Sequence, residues 1–208
     1  QLLPDVALGC LSRVLPDVVP AEGASTLWDI PMSGTYLEDG KTFAQELVFN
    51  GGTGARPGAD GLSATAYPSG VLGSLVEITE STTPVKIRRR EFRSGSGGRG
   101  KYRGGHGQTI EIEALPGTRL RIYGTVDRVK FPARGRHGGQ AGAPGRFVLS
   151  NGMEFVGKGH CDLEAGESVI VYTPGGGGWG DESSRSEKLV VMERESGLDY
   201  EEQEIERE

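Results

Sequence analysis

Glycine supplies 35 of the 208 residues, about twice the roughly 7% of an average chain, and this constrains the fold more than any motif does. A chain so rich in glycine is either disordered or uses the missing Cβ for tight turns and close backbone approach. Here β-branched and aromatic runs separate the glycine clusters, so the sequence reads as folded and loop-rich. Its length suits one large domain or two small ones and is enough to bury a real core.

The runs between the clusters alternate with period two. Residues 85–93 set Val85 and Ile87 against Lys86 and Arg88. Residues 109–113 set Ile110 and Ile112 against acids, and residues 118–125 set Leu120 and Ile122 against Arg119 and Arg121. Residues 42–49, 147–149 and 168–172 complete the set. Such alternation, bounded by Gly and Pro, marks half-buried antiparallel strands. Residues 28–50 otherwise read as mixed, and 62–80 as a looser stretch. Residues 4–15 carry apolar side chains at 7, 8, 11, 14 and 15, which predicts a short helix ended by Pro16. After Asp181 the chain turns acidic and glycine-poor. The expected fold is mainly β, an antiparallel sandwich or distorted barrel with many Gly-rich loops. It carries a short N-terminal helix and an acidic C-terminal helix or tail, so residues 1–181 form the folded region and 182–208 the tail.

The net charge of −6 argues against a nucleic-acid or anionic-membrane partner for the whole surface. No apolar run reaches the roughly 18 residues of a membrane span. Cys10 and Cys161 make no disulfide framework, so a reducing cytoplasm is the expected setting. The opening residue is Gln1 rather than Met, which points to a segment removed upstream.

Several tempting motifs share one segment. Gly95 to Lys101 satisfies seven positions of a phosphate-binding P-loop, but the eighth is Tyr102 rather than a hydroxyl for magnesium, and Arg103-Gly-Gly-His-Gly107 is a poor helix. Gly95, Gly97 and Gly100 match a dinucleotide fingerprint with neither the helix nor the βαβ unit it needs. Residues 86–103 hold eight Lys or Arg against Glu91; the weaker reading is an RNA-binding patch, the stronger a basic strand face opposite Glu111 and Glu113. Of the three histidines, His106, His137 and His160, only His160 adjoins another metal-ligand type. Adjacent strand residues such as His160 and Cys161 point to opposite faces, so no metal site is expected within the chain, and Cys161 reads as a buried thiol.

Read in order, five segments are more specific than any of these motifs. They are Gly51-Gly-Thr-Gly-Ala-Arg-Pro-Gly-Ala-Asp-Gly61; Thr83-Pro-Val85 leading through Arg88-Arg-Arg-Glu-Phe-Arg93 to Ser96-Gly-Gly-Arg-Gly-Lys-Tyr-Arg-Gly-Gly105; Asp127-Arg-Val-Lys-Phe-Pro-Ala-Arg-Gly135; Gly138-Gly-Gln-Ala-Gly-Ala-Pro-Gly-Arg146; and Tyr172-Thr-Pro-Gly-Gly-Gly-Gly-Trp-Gly-Asp181. Together they resemble the C-terminal portion of hydantoinase B-type subunits, the 5-oxoprolinase family, over roughly residues 4–181.

The resemblance implies a subunit that works with an ATP-binding hydantoinase A-type partner and with the N-terminal portion of the B subunit, missing here. Together these open hydantoin or 5-oxoproline rings in an ATP-dependent reaction, as a hetero-oligomer. Relatives carboxylate acetone or acetophenone, so a ketone carboxylase subunit is an alternative, as is a non-catalytic assembly module. ATP and a divalent metal are expected in the full complex and none within this chain, since the family's metal-binding residues lie upstream of the matched region. The chain alone is expected to be inactive, with neither nucleic acid nor membrane as partner.

Catalytic residues are left unknown by this reading. Arg56, Arg99, Arg103, Asp127 and Arg128 sit in or beside glycine loops, where they can orient a carboxylate or a phosphorylated intermediate. The stronger alternative is that they tie loops together or contact another subunit. His106 stands where the resemblance implies a small or apolar residue, which leaves its role open. The acidic tail departs from the family pattern.

Overall fold

The computed structural model describes residues 2–154 and 158–198. Among them eight strands form two four-stranded antiparallel sheets. The first joins β1 (Trp28–Tyr36), β2 (Thr42–Phe49), β5 (Thr118–Thr125) and β7 (Lys158–Leu163) in the order β2-β1-β5-β7. The second joins β3 (Val85–Phe92), β4 (Gln108–Ala114), β6 (Arg146–Leu149) and β8 (Ser168–Tyr172) in the order β3-β4-β8-β6. Neither sheet closes on itself, so the fold is the sandwich rather than the barrel. Three short helices, α1 (Leu3–Leu11), α2 (Val76–Thr82) and α3 (Glu187–Glu195), and one 3-10 turn (Glu182–Ser184) complete it. No helix among the described residues is long and apolar enough to cross a membrane.

Alternation decides the core. Along β5 every second residue is buried, so Leu120 and Ile122 meet Trp28, Ile30, Met32 and Leu47 of their own sheet. Ile110, Ile112, Phe147, Val169 and Val171 face them from the second sheet. Each such side chain contributes about 1.5–3 kcal/mol on leaving water. The basic face of β3 lies against acids, as expected: Arg88 makes a 2.5 Å ion pair with Glu113, and Arg89 lies in register with Glu111.

Two strands escaped the sequence pattern for local reasons. β1 buries Trp28, Ile30 and Met32 at every second position, and Pro31 sits where β1 pairs only with β2, so its missing N–H costs nothing on the β5 side. Gly34 leaves room for the Phe43 ring. β7 is an edge strand with only Cys161 and Leu163 turned inward. α2, within the stretch read as loose, sends the Glu80 carboxylate to the Ile87 N–H (2.8 Å), where the ladder of β3 shifts register. The N-terminal helix is shorter than expected, ending at Leu11.

Candidate functional site

The glycine segments continue the strands at one end of the sandwich: 50–55 follows β2, 93–107 joins β3 to β4, 133–145 precedes β6 and 173–180 follows β8. They bundle around the tetraglycine Gly175–Gly178. Its successive N–H groups donate to Ala143, Gly105, Glu22 and Gln140 carbonyls, so the partner segment recurs every third residue. In a β-strand the recurrence is every second residue; three per turn is polyproline II geometry. The bundle is therefore hydrogen-bonded in several directions rather than within one plane. A Cβ on Gly176 would overlap the Thr53 carbonyl, and on Gly177 the Arg134 carbonyl. Glycine serves here through absent volume, since neither residue has a positive φ. Trp179 caps the hub, its ring 4.7 Å from His137 and 6.1 Å from Tyr102.

Two charge networks are built on this bundle. In the first, the Arg103 backbone N–H donates to Asp60 Oδ1 (2.8 Å), and Arg185 donates to both Asp60 oxygens (2.9 Å each) and to Glu193 (3.0 Å). Arg103 Nε lies 2.7 Å from Glu193 Oε1. Burial would raise the Asp60 pKa, but the bonds from Arg185 and the Arg103 N–H outweigh it and hold this carboxyl below the ordinary range. In the second, Arg128 reaches Asp5 (2.6 Å) and Glu22 (3.1 Å), Arg134 pairs with Glu22 (2.5 Å), and the Ser25 hydroxyl donates to Asp5. Burial raises the Asp5 carboxyl despite Ser25 and Arg128. At Glu22 the same burial is outweighed by Arg134 and Arg128, which lower it. Ser25 and Arg128 both hold φ of +59°, a conformation that costs of order 1–3 kcal/mol and is kept by the network.

His106 is fully buried beside the first network. Its Nδ1 accepts the Gly97 N–H (3.3 Å), while Nε2 has no hydrogen-bond partner. Burial, with help from the Arg103 charge and against Asp60, pushes its pKa down to about 3, so the ring stays neutral near pH 7.

Arg103 and His106 thus come together around Asp60, while Arg128 belongs to the second network. Arg56 is exposed and only its NH2 reaches the Asp60 carbonyl, at 3.5 Å. Arg99 is exposed and pairs with Glu182 at 3.6 Å. Asp127 is half-buried next to Arg128. Asp60, Arg185 and Glu193 went unselected in the sequence, as did Asp5, Glu22 and Arg134. A lone carboxylate carries no motif; the usable signal was an acid within or near a glycine loop that also held an arginine. Arg185 and Glu193, both in the stretch expected to be an acidic solvated helix or tail, are half-buried against Arg103 and Asp60, Glu193 within helix α3. Residues 199–208 of that tail lie outside the described residues. Cys161 packs against the core, and burial pushes its thiol up to about 11, which suits a structural thiol. Among the described residues no three His, Cys, Asp or Glu side chains converge as a metal-ligand set.

The domain is a β-sandwich joined at one end to a polyglycine bundle that carries two charge networks. The family model for hydantoinase B/oxoprolinase matches residues 1–182, and the chain belongs to that family. It is 36% identical over 139 residues to a 5-oxoprolinase of Dictyostelium discoideum, covering 64% of this chain and 11% of that protein. It is 31% identical over 159 residues to caprolactamase subunit beta of Pseudomonas jessenii, covering 71% and 27%. The crystal structure of the ATP-dependent caprolactamase from Pseudomonas jessenii superposes with a TM-score of 0.76 at 22% identity, over 90% of this chain and 34% of that one. The chain therefore spans about a tenth to a third of the relatives it matches.

Proposed function

We propose that this chain is part of a B-type subunit that works with an ATP-binding A-type partner and the remainder of the B subunit in ATP-dependent opening of cyclic amides. One observation carries this reading. Each charge network sets two carboxylates against two guanidiniums, Asp60 and Glu193 against Arg103 and Arg185, Asp5 and Glu22 against Arg128 and Arg134. An anionic substrate drawn to Arg103, Arg185 or Arg128 would compete with a carboxylate already paired to it, and at Asp5 and Glu22, which are buried, displacement would cost several kcal/mol per uncompensated ion. On this reading the two networks contribute rigid shape to the assembly.

On this reading the divalent metal implied by the family resemblance is held by the full assembly. ATP would supply an activated, phosphorylated amide oxygen when bound by the partner. The sandwich and its glycine bundle can present a fixed surface to that centre.

The test is reconstitution. The pure chain is expected to hydrolyse no ATP, while the assembly with an A-type subunit and the remaining B portion opens 5-oxoproline, hydantoin or caprolactam with ATP consumption. Turnover by the chain alone overturns the reading.

A further inference from the structure

Helix α1 is inside out. Its residues Leu3, Val6, Ala7, Cys10 and Leu11 follow the i, i+3, i+4, i+7, i+8 spacing of an apolar helix stripe, and all five are exposed. Leu3 is 76% and Val6 61% exposed. The opposite side, Asp5, Leu8, Gly9 and Ser12, faces the protein, and Asp5 is the buried residue of the helix. Polar anchors hold it there: Asp5 to Arg128 and Ser25, and the Ser12 hydroxyl to Arg136 Nη1 at 2.7 Å. The segment that follows is fastened the same way, by His137 Nε2 to the Pro16 carbonyl at 2.8 Å and Arg136 Nε to the Pro20 carbonyl at 2.9 Å. It adds Val14, 77% exposed, and Val18, 69% exposed, to the apolar surface. A nine-residue helix is marginal in water without packing of its apolar face. Here that face is held rigid and left uncovered.

We infer that this stripe is the docking face for the remaining portion of the B-type subunit, whether that portion is a separate polypeptide or continuous with this one. The inference rests on the proposed function and names the surface through which it operates. The occupant is argued from proportion: 90% of this chain superposes on a relative of which it accounts for 34%, so about two-thirds of that relative lies outside the shared domain and is available to cover the stripe. A rigid, uncharged stripe with helical spacing fits an apolar groove in a protein. It does not fit an anionic membrane, for which an interfacial helix carries several basic residues; Arg13 is the basic residue of segment 2–18.

Cys10, exposed on the stripe, reports its own burial. The protein isolated from its source without disruption is treated with N-ethylmaleimide beside the 208-residue chain alone, and the modified peptides are mapped by mass spectrometry. Cys10 is expected to react at least about tenfold more slowly in the assembly containing the remaining B portion. Val6→Glu and Leu11→Glu, both at exposed positions, are expected to keep the Tm of the chain and to lose about tenfold or more in affinity for that portion. An assembly in which Cys10 reacts as fast as in the lone chain overturns the docking face and leaves the proposed function standing. Protection of Cys10 by a second copy of the chain, or by phosphatidylglycerol vesicles, also overturns it. Absence of any assembly with the remaining B portion overturns the proposed function and the docking face together.

Discussion

Replacing His106 by Asn should flatten the acid side of the stability profile. In the folded protein His106 has a pKa of about 3, against 6.5 for an unhindered ring. Because the folded value is the lower one, the unfolded chain binds the extra proton. The stability tied to this histidine is complete above the unfolded value and is lost as pH falls from 6.5 toward 3. The slope in that window is about 1.4 kcal/mol per pH unit, so about 2.7 kcal/mol disappears between roughly pH 8 and pH 4.5. Asn keeps an acceptor, Oδ1, for the Gly97 N–H that Nδ1 now takes, and it does not titrate. The smaller side chain costs stability by a similar amount at every pH, whereas the slope belongs to the imidazole alone. Urea unfolding of both proteins at half-unit steps reads the two slopes directly. Comparison with the variant cancels the carboxylates, whose own losses begin lower. Parallel profiles for wild type and His106→Asn would refute the assignment of a neutral, desolvated imidazole.

The glycine bundle gives a paired prediction. Gly176→Ala drives a methyl into the Thr53 carbonyl and should destabilise by more than about 3 kcal/mol, at the upper end for overpacking. Gly9→Ala meets only the Arg136 guanidinium at 3.8 Å and should stabilise α1 by about 0.5–1 kcal/mol; equal effects in thermal melts would contradict the backbone-contact argument. Glu193→Gln leaves the half-buried guanidiniums of Arg103 and Arg185 short of a charge and should cost up to about 3 kcal/mol in urea unfolding. Asp162→Asn, from the solvent-facing pair with Arg121, should give no measurable change. A small loss for Glu193→Gln would mean that α3 is not held through that network.

Much of the sandwich was legible because strand alternation is a local signal. Residues 42–49, 118–125 and 168–172 begin and end where the sequence places them. β1 and β7 were not: Pro31 and Gly34 in one are residues disfavoured within strands, and the other is a mostly exposed, polar edge. The rejected phosphate-loop readings of Gly95–Lys101 agree with the structure, where the segment threads the bundle and opens no helix. Arg103 and Arg128 were legible as loop arginines, but their partners were not. Asp5 lies 123 residues from Arg128, and Glu193 lies 90 from Arg103, and no pattern in one sequence links such pairs.

The sequence by itself determined the composition of the problem: strands that alternate, glycines that must stand where a Cβ would not fit, and five ordered segments that mark the family. Only the tertiary structure decided which glycines meet which carbonyls, which acid neutralises which arginine, and that α1 turns its apolar stripe outward. The physical reason is range. Alternation and propensity act between neighbours a few residues apart. Burial, ion pairing and three-directional hydrogen bonding depend on segments brought together from across the chain.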